Sequence, residues 1–162
     1  MSQQTAAAND QDLVIHSTFS LERNYPQSPA RVFFAHADQA MKRRWLAEGE
    51  GWEVSTFTLD FRIGGEEISR FRFQGGPEIT YDAVIQDIVR DKRIVFAYRM
   101  SVAGNPISVS LSTVELFAAG KGTLLRYTEQ GTYFGDPNAP ASREHGSREL
   151  LEKLAQELES GT

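Results

Sequence analysis

Cysteine is absent from the 162 residues, so disulfides, thiolate metal sites and cysteine nucleophiles are excluded. The lack also fits a reducing, cytoplasmic setting. The opening stretch MSQQTAAANDQD is polar and holds no apolar core, so neither a signal peptide nor a membrane span is expected there. Residues 1–12 read as a disordered lead-in to one domain over residues 13–160. Cations are in deficit: 17 Lys and Arg stand against 22 Asp and Glu, a net charge of −5. That disfavours nucleic acid as a partner, because phosphate-backbone affinity comes from clustered cations. The short basic run Lys42-Arg43-Arg44 reads as a solvated helix face.

Chemical motifs are scarce as well. The three histidines, His16, His36 and His145, are scattered without metal-ligand spacing, so no metal or other cofactor is implied. His36 falls on an apolar stripe and reads as a satisfied core histidine, and His145 as a solvated one. There is no Gly-x-Ser-x-Gly elbow, and Glu66 and Glu67 alternate faces of a strand, so they cannot act as a paired acid and base. Gly120-Lys121-Gly122-Thr123 lies between two strands and reads as a hairpin turn, not a phosphate loop.

What is present is strand pattern. Hydrophobic residues make up 40% and charged ones 24%, and the length suffices for a core without cross-links. Leu13, Ile15, Phe19 and Leu21 alternate with polar residues as a half-buried strand does. Ser28-Pro29 starts a helix whose inner stripe is Val32, Phe33, His36 and Ala37. Asp38 caps a second, with Met41, Trp45 and Leu46 inward, ended by Gly49 and Gly51. Six strand stretches follow, from Trp52–Ile63 to Thr123–Gln130, separated by Gly-rich turns that imply a meander. Alternation is clearest in Phe57, Leu59, Phe61, Ile63 and in Ile94, Phe96, Tyr98, Met100, Val102. The inward parity switches between Val54 and Phe57, which predicts a bulge near Ser55-Thr56. A long helix over about Ser142–Leu158 carries Leu150, Leu151, Leu154, Ala155 and Leu158 on one stripe. The expected class is α+β: a curved antiparallel sheet of six or seven strands, two short helices after the first, and the long C-terminal helix across the open face.

One series of segments runs Glu22-Arg23-Asn24-Tyr25, Pro29-Ala30-Arg31-Val32-Phe33, Arg44-Trp45, Asp60-Phe61-Arg62-Ile63-Gly64-Gly65, Ile88–Phe96, Gly122-Thr123 and Glu144-His145-Gly146-Ser147. In their order and spacing the chain resembles the activator of heat-shock-protein-90 ATPase homologue-like family of the SRPBCC (START-like) superfamily. The resemblance implies a helix-grip fold with a cavity between sheet and long helix. It does not imply one function, because the superfamily spans carriers, polyketide cyclases and chaperone co-factors. Two positions depart from the pattern: Ser147 follows Gly146 where relatives often have tryptophan, and Arg143 stands where many have histidine.

The candidate site lies at the start of the last helix. Helical spacing puts Arg143 and Ser147 above Leu150, Leu151 and Leu154, facing the sheet. A buried Arg143 needs an acceptor, and Glu129 is the expected partner. Either Arg143 snorkels to solvent, or it anchors a ligand carboxylate or phenol inside an apolar cavity. Gly146, mid-helix, suggests close backbone approach or tolerance at an exposed edge. The expected ligand-binding residues are Trp45, Phe73, Tyr81, Phe96, Tyr98, Tyr127, Glu129, Arg143, Ser147 and Leu151. The expected partner is a small hydrophobic molecule, with a homodimer as a further possibility. Two rivals stand beside a non-catalytic binding module. One is polyketide-cyclase-like chemistry on Glu129, Arg143 and Tyr127, the other an interaction protein that docks on a chaperone.

Overall fold

Period-two alternation governs most of the chain and yields seven strands. The computed structural model describes residues 12–160, so the expected lead-in lies almost wholly outside the described residues. The elements run β1 (Val14–Tyr25), α1 (Pro29–Ala37), α2 (Gln39–Leu46), β2 (Trp52–Leu59), β3 (Glu66–Phe73), β4 (Ile79–Val89), β5 (Arg93–Val102), β6 (Asn105–Ala119), β7 (Gly122–Phe134) and α3 (Ala139–Ser160). This is the expected α+β order.

Tight turns join β2 to β7 as a meander. The two short helices carry the chain across so that β1 pairs with β7, giving the antiparallel order β1-β7-β6-β5-β4-β3-β2. Register shifts fall between Val54 and Thr56, where the bulge is expected, and also at Ile85/Asp87 and Met100/Ser101. Each extra residue bends its strand, and together they help curve the sheet around one face.

Local chemistry sets the helices. Ser28 and Asp38 accept from Arg31 N–H and Met41 N–H at their N-termini, and Pro29 needs no donor at the first position of α1. The second helix stops at Leu46 with Ala47 as its cap, short of Gly49 and Gly51. Likewise β2 stops at Leu59. Ile63 is exposed and Phe61 packs on Phe33 from the turn, so the alternation expected through Ile63 does not continue as strand.

The core gathers under the C-terminal half of α3. Leu151, Leu154 and Leu158 meet Phe19, Leu21 and Tyr25 of β1, Val32 of α1 and Leu125 of β7. The helix is held laterally as well. Tyr25 O–H donates to the Leu151 carbonyl (2.8 Å), and Arg44 pairs with Glu157 (2.7 Å). The run expected to be a solvated face is corrected at one residue. Arg43 and Arg44 face outward, but Lys42 is buried against the sheet. Its stem passes over Phe96, and its ammonium lies 2.5 Å from Glu67 of β3. Because α2 lies on the sheet, a residue one step from Met41 can still be covered.

His36 is the satisfied core histidine expected. Its ring meets the Val32 carbonyl at 2.9 Å and packs edge-on to Trp45. Burial first, and the charge of Lys42 second, lower its pKa from 6.5 to about 4 against the pull of that carbonyl. The unfolded chain therefore takes up the proton first. This group's contribution to stability is complete above about pH 6.5 and is lost as the pH falls toward about 4, to the extent of roughly 3 kcal/mol. Urea denaturation across that window should show His36→Gln with a flatter pH dependence than the parent. An unchanged slope would contradict the assignment.

Candidate functional site

Under the N-terminal half of α3 the sheet is not filled. A cavity of about 560 Å³ lies between it and the helix. Its walls are apolar and aromatic, with a few polar groups, which is the usual make-up of a small-molecule site. Of the expected residues, Trp45, Tyr81, Phe96, Tyr98 and Tyr127 line it from below and the side. Arg143, Ser147 and Leu151 line it from the helix above. Phe73 does not belong. It stands near the end of β3, 44% exposed, with its ring 4.9 Å from Trp52. Of the two readings of Gly146, close backbone approach falls away: a methyl group there would meet nothing within 4 Å, which leaves simple tolerance of glycine.

Glu129 sits one layer deeper and organises the floor. Inward-facing residues of β7 run Leu125, Tyr127, Glu129, Gly131, Tyr133, and those of β6 include Ser108, Ser110 and Ser112. The carboxylate is fully buried. Its Oε1 accepts from Tyr98 (2.7 Å), Tyr127 (2.6 Å) and Ser112 (3.3 Å), and its Oε2 from Tyr133 (3.3 Å) and Ser110 (3.4 Å). Arg143 approaches Oε2 at 3.5 Å and donates to the Tyr98 hydroxyl (2.7 Å) and the Ser108 hydroxyl (2.8 Å). The expected Glu129–Arg143 partnership is thus present. Arg143 turns inward, its guanidinium over the rings of Tyr98 and Tyr133.

The titration of these groups follows their surroundings. Burial raises the phenols of Tyr81, Tyr98 and Tyr127; Glu67 adds to this at Tyr81 and Glu129 at all three, while Arg143 pulls Tyr98 partly back. Tyr133 is pushed up to about 12 by burial and by Glu129. All four stay hydroxyls near neutral pH. Burial works against the charge of Arg143, but Tyr98, Glu129 and Tyr133 more than offset it. Both carboxylate oxygens of Glu129 are crowded with donors, leaving little room to take a proton from a ligand.

Several residues of the site are not singled out by the sequence. Met100 and Ile107 add apolar wall, while Lys42 and Ser69 add polar points. The inward serines of β6 are legible only as the alternation Ser108-Val109-Ser110-Leu111-Ser112, which offers no clue to which face is buried. Gly131 has a geometric reason. A Cβ there would lie 2.7 Å from the Tyr133 ring, so only glycine lets that ring lie back along β7 toward Glu129.

A sequence model of the family described as Activator of Hsp90 ATPase homolog 1-like protein matches residues 26–159. The crystal structure of a Rhizobium loti protein is 56% identical, covers 90% of this chain and 99% of its own, and has a TM-score of 0.83. A putative uncharacterized protein from Rhizobium leguminosarum is 34% identical, covers 91% of this chain and 97% of its own, and has a TM-score of 0.87. An AHSA1-like protein from Aeromonas hydrophila shares the fold at 17% identity, with 89% and 93% covered and a TM-score of 0.69. No curated protein matches the chain. Among the described residues no helix is long and apolar enough to cross a membrane.

Gly131→Ala is expected to drive Tyr133 off Glu129 and destabilise the protein by about 1–3 kcal/mol. The effect should appear as a lower urea midpoint at unchanged slope. In a Tyr133→Leu background the same change should cost much less. Equal costs in both backgrounds would mean that the ring is not what Gly131 accommodates.

Proposed function

The chain belongs to the Activator of Hsp90 ATPase homolog 1-like family, and from that premise we propose that it is a binding module for a small hydrophobic or aromatic ligand. The ligand lies between the sheet and α3, with a carboxylate or phenol oxygen on Arg143. Residues 13–160 act as one domain, and the lack of cysteine suits work in the cytoplasm. The observation that carries this reading is the cavity of about 560 Å³. Aromatic rings wall it, and its roof holds a guanidinium beside the small residues Gly146 and Ser147. Five hydroxyls share the carboxylate of Glu129, so Arg143 keeps N–H groups to offer an incoming oxygen. The same saturation counts against acid–base chemistry on Glu129. A filled core with a broad apolar surface would have favoured protein docking, and the void favours a small molecule.

Ser147 tests the reading. It stands on the inner face of α3, where an indole would project into the cavity. Ser147→Trp should raise the melting temperature and weaken binding of anilinonaphthalene sulfonate at least tenfold, as read by fluorescence titration. Phe73→Ala should change probe binding little, because that ring lies outside the cavity. A Ser147→Trp protein destabilised by about 1–3 kcal/mol, with no saturable probe binding by the parent, would contradict the proposal.

A further inference from the structure

The Arg143 end of the cavity is rich in partners, and the opposite end is not. In β3, Glu67 and Ser69 are two residues apart and turn to the same concave face, 2% and 1% exposed. Glu67 Oε1 accepts from the Lys42 ammonium. Its Oε2 and the Ser69 hydroxyl have no hydrogen-bond partner among the described residues. Buried polar atoms are nearly always paired, so two orphans on one face of β3, one of them the cavity-lining Ser69 hydroxyl, point to a missing partner. Ser69 and Lys42 both line the cavity, as does Tyr81, the cross-strand neighbour of Ser69.

The orphan atoms specify what that partner must be. Beside the Lys42 ammonium, Glu67 is read as a carboxylate, and a carboxylate oxygen only accepts, so the ligand group must donate. The Ser69 hydroxyl can donate in return, so the same group should also accept. A hydroxyl does both, and an ammonium cannot. Register sets its position. One row across the sheet runs Ser69, Tyr81, Met100, Ser108, and Ser108 accepts from Arg143. Three strand spacings separate the ends of that row, about 14 Å across the sheet.

Resting on the binding reading above, we propose that the ligand is a rod-like aromatic acid with a hydroxyl at its far end. The acid group lies on Arg143. The hydroxyl donates to Glu67 Oε2 and accepts from Ser69. The Lys42–Glu67 pair is then a specificity element that selects for the hydroxyl, and Met100 and Phe96 flank the rings between the two ends.

Two probes separate the ends: para-phenylbenzoate, and its counterpart with a hydroxyl on the distal para carbon. Calorimetric titration of the full chain should show the hydroxylated acid binding about tenfold tighter, the worth of roughly one net hydrogen bond. In Ser69→Ala the gap should fall to about threefold or less, while affinity for para-phenylbenzoate is unchanged. Ser69 has no partner to lose, so this variant should melt no lower than the parent. Glu67→Gln should narrow the gap as well. Equal binding of the two acids by the parent, or a full gap in Ser69→Ala, would overturn the far-end site and leave the cavity reading standing. Binding of neither acid would overturn both.

Discussion

A carboxylate removed from water must be given donors, and Glu129 imposes that constraint on the middle of the sheet. The strands answer it with hydroxyls: Tyr98 from β5, Ser110 and Ser112 from β6, and Tyr127 and Tyr133 from β7. Gly131 is small because one of those phenols must lie across it. The demand is strong enough to invert the usual polarity of a strand. In β6 the serines face in, while Val109 and Leu111 face out at 45% and 39% exposure. The cation that completes the cluster comes from α3, so the buried charge also ties the helix to the sheet at its N-terminal end.

That tie explains why a cavity persists. Interiors normally close to crystal-like density. Here α3 is held at one end by Arg143 and at the other by Leu154 and Leu158 in the core. Lateral contacts from Tyr25, Arg44 and Lys153, the last donating to the Glu48 carbonyl, keep it from sinking between those ends. Over the open span the helix presents Gly146 and Ser147, which are too small to fill the gap. An indole at position 147 would occupy the same volume, so a single substitution there changes the size of the pocket while the frame stays.

Legibility in the sequence follows the same physics. Elements with a regular period were readable: β1, β5, the capped helices and α3 fall where alternation, capping and the leucine stripe put them. The bulge at Val54/Thr56 was readable because a parity switch has no other cheap explanation. The Arg143–Glu129 pair followed from charge burial. What could not be read depends on the far side of the sheet. Lys42 looks like any exposed lysine until Glu67 is opposite it, and β6 alternates equally well with either face inward. Phe73 has the parity of Phe71, yet it lies past the cover of α3. Parity says which way a side chain points. It does not say whether anything lies above it.

On the binding reading, a small aromatic molecule occupies the space between sheet and α3. Nuclear Overhauser contacts between para-phenylbenzoate ring protons and protein methyl groups test it most directly. The predicted result is contacts to Met100, Ile107 and Leu151, which surround the cavity. Contacts confined to Val84, Val109 and Leu111 on the outer face, with none to that inner set, would contradict it.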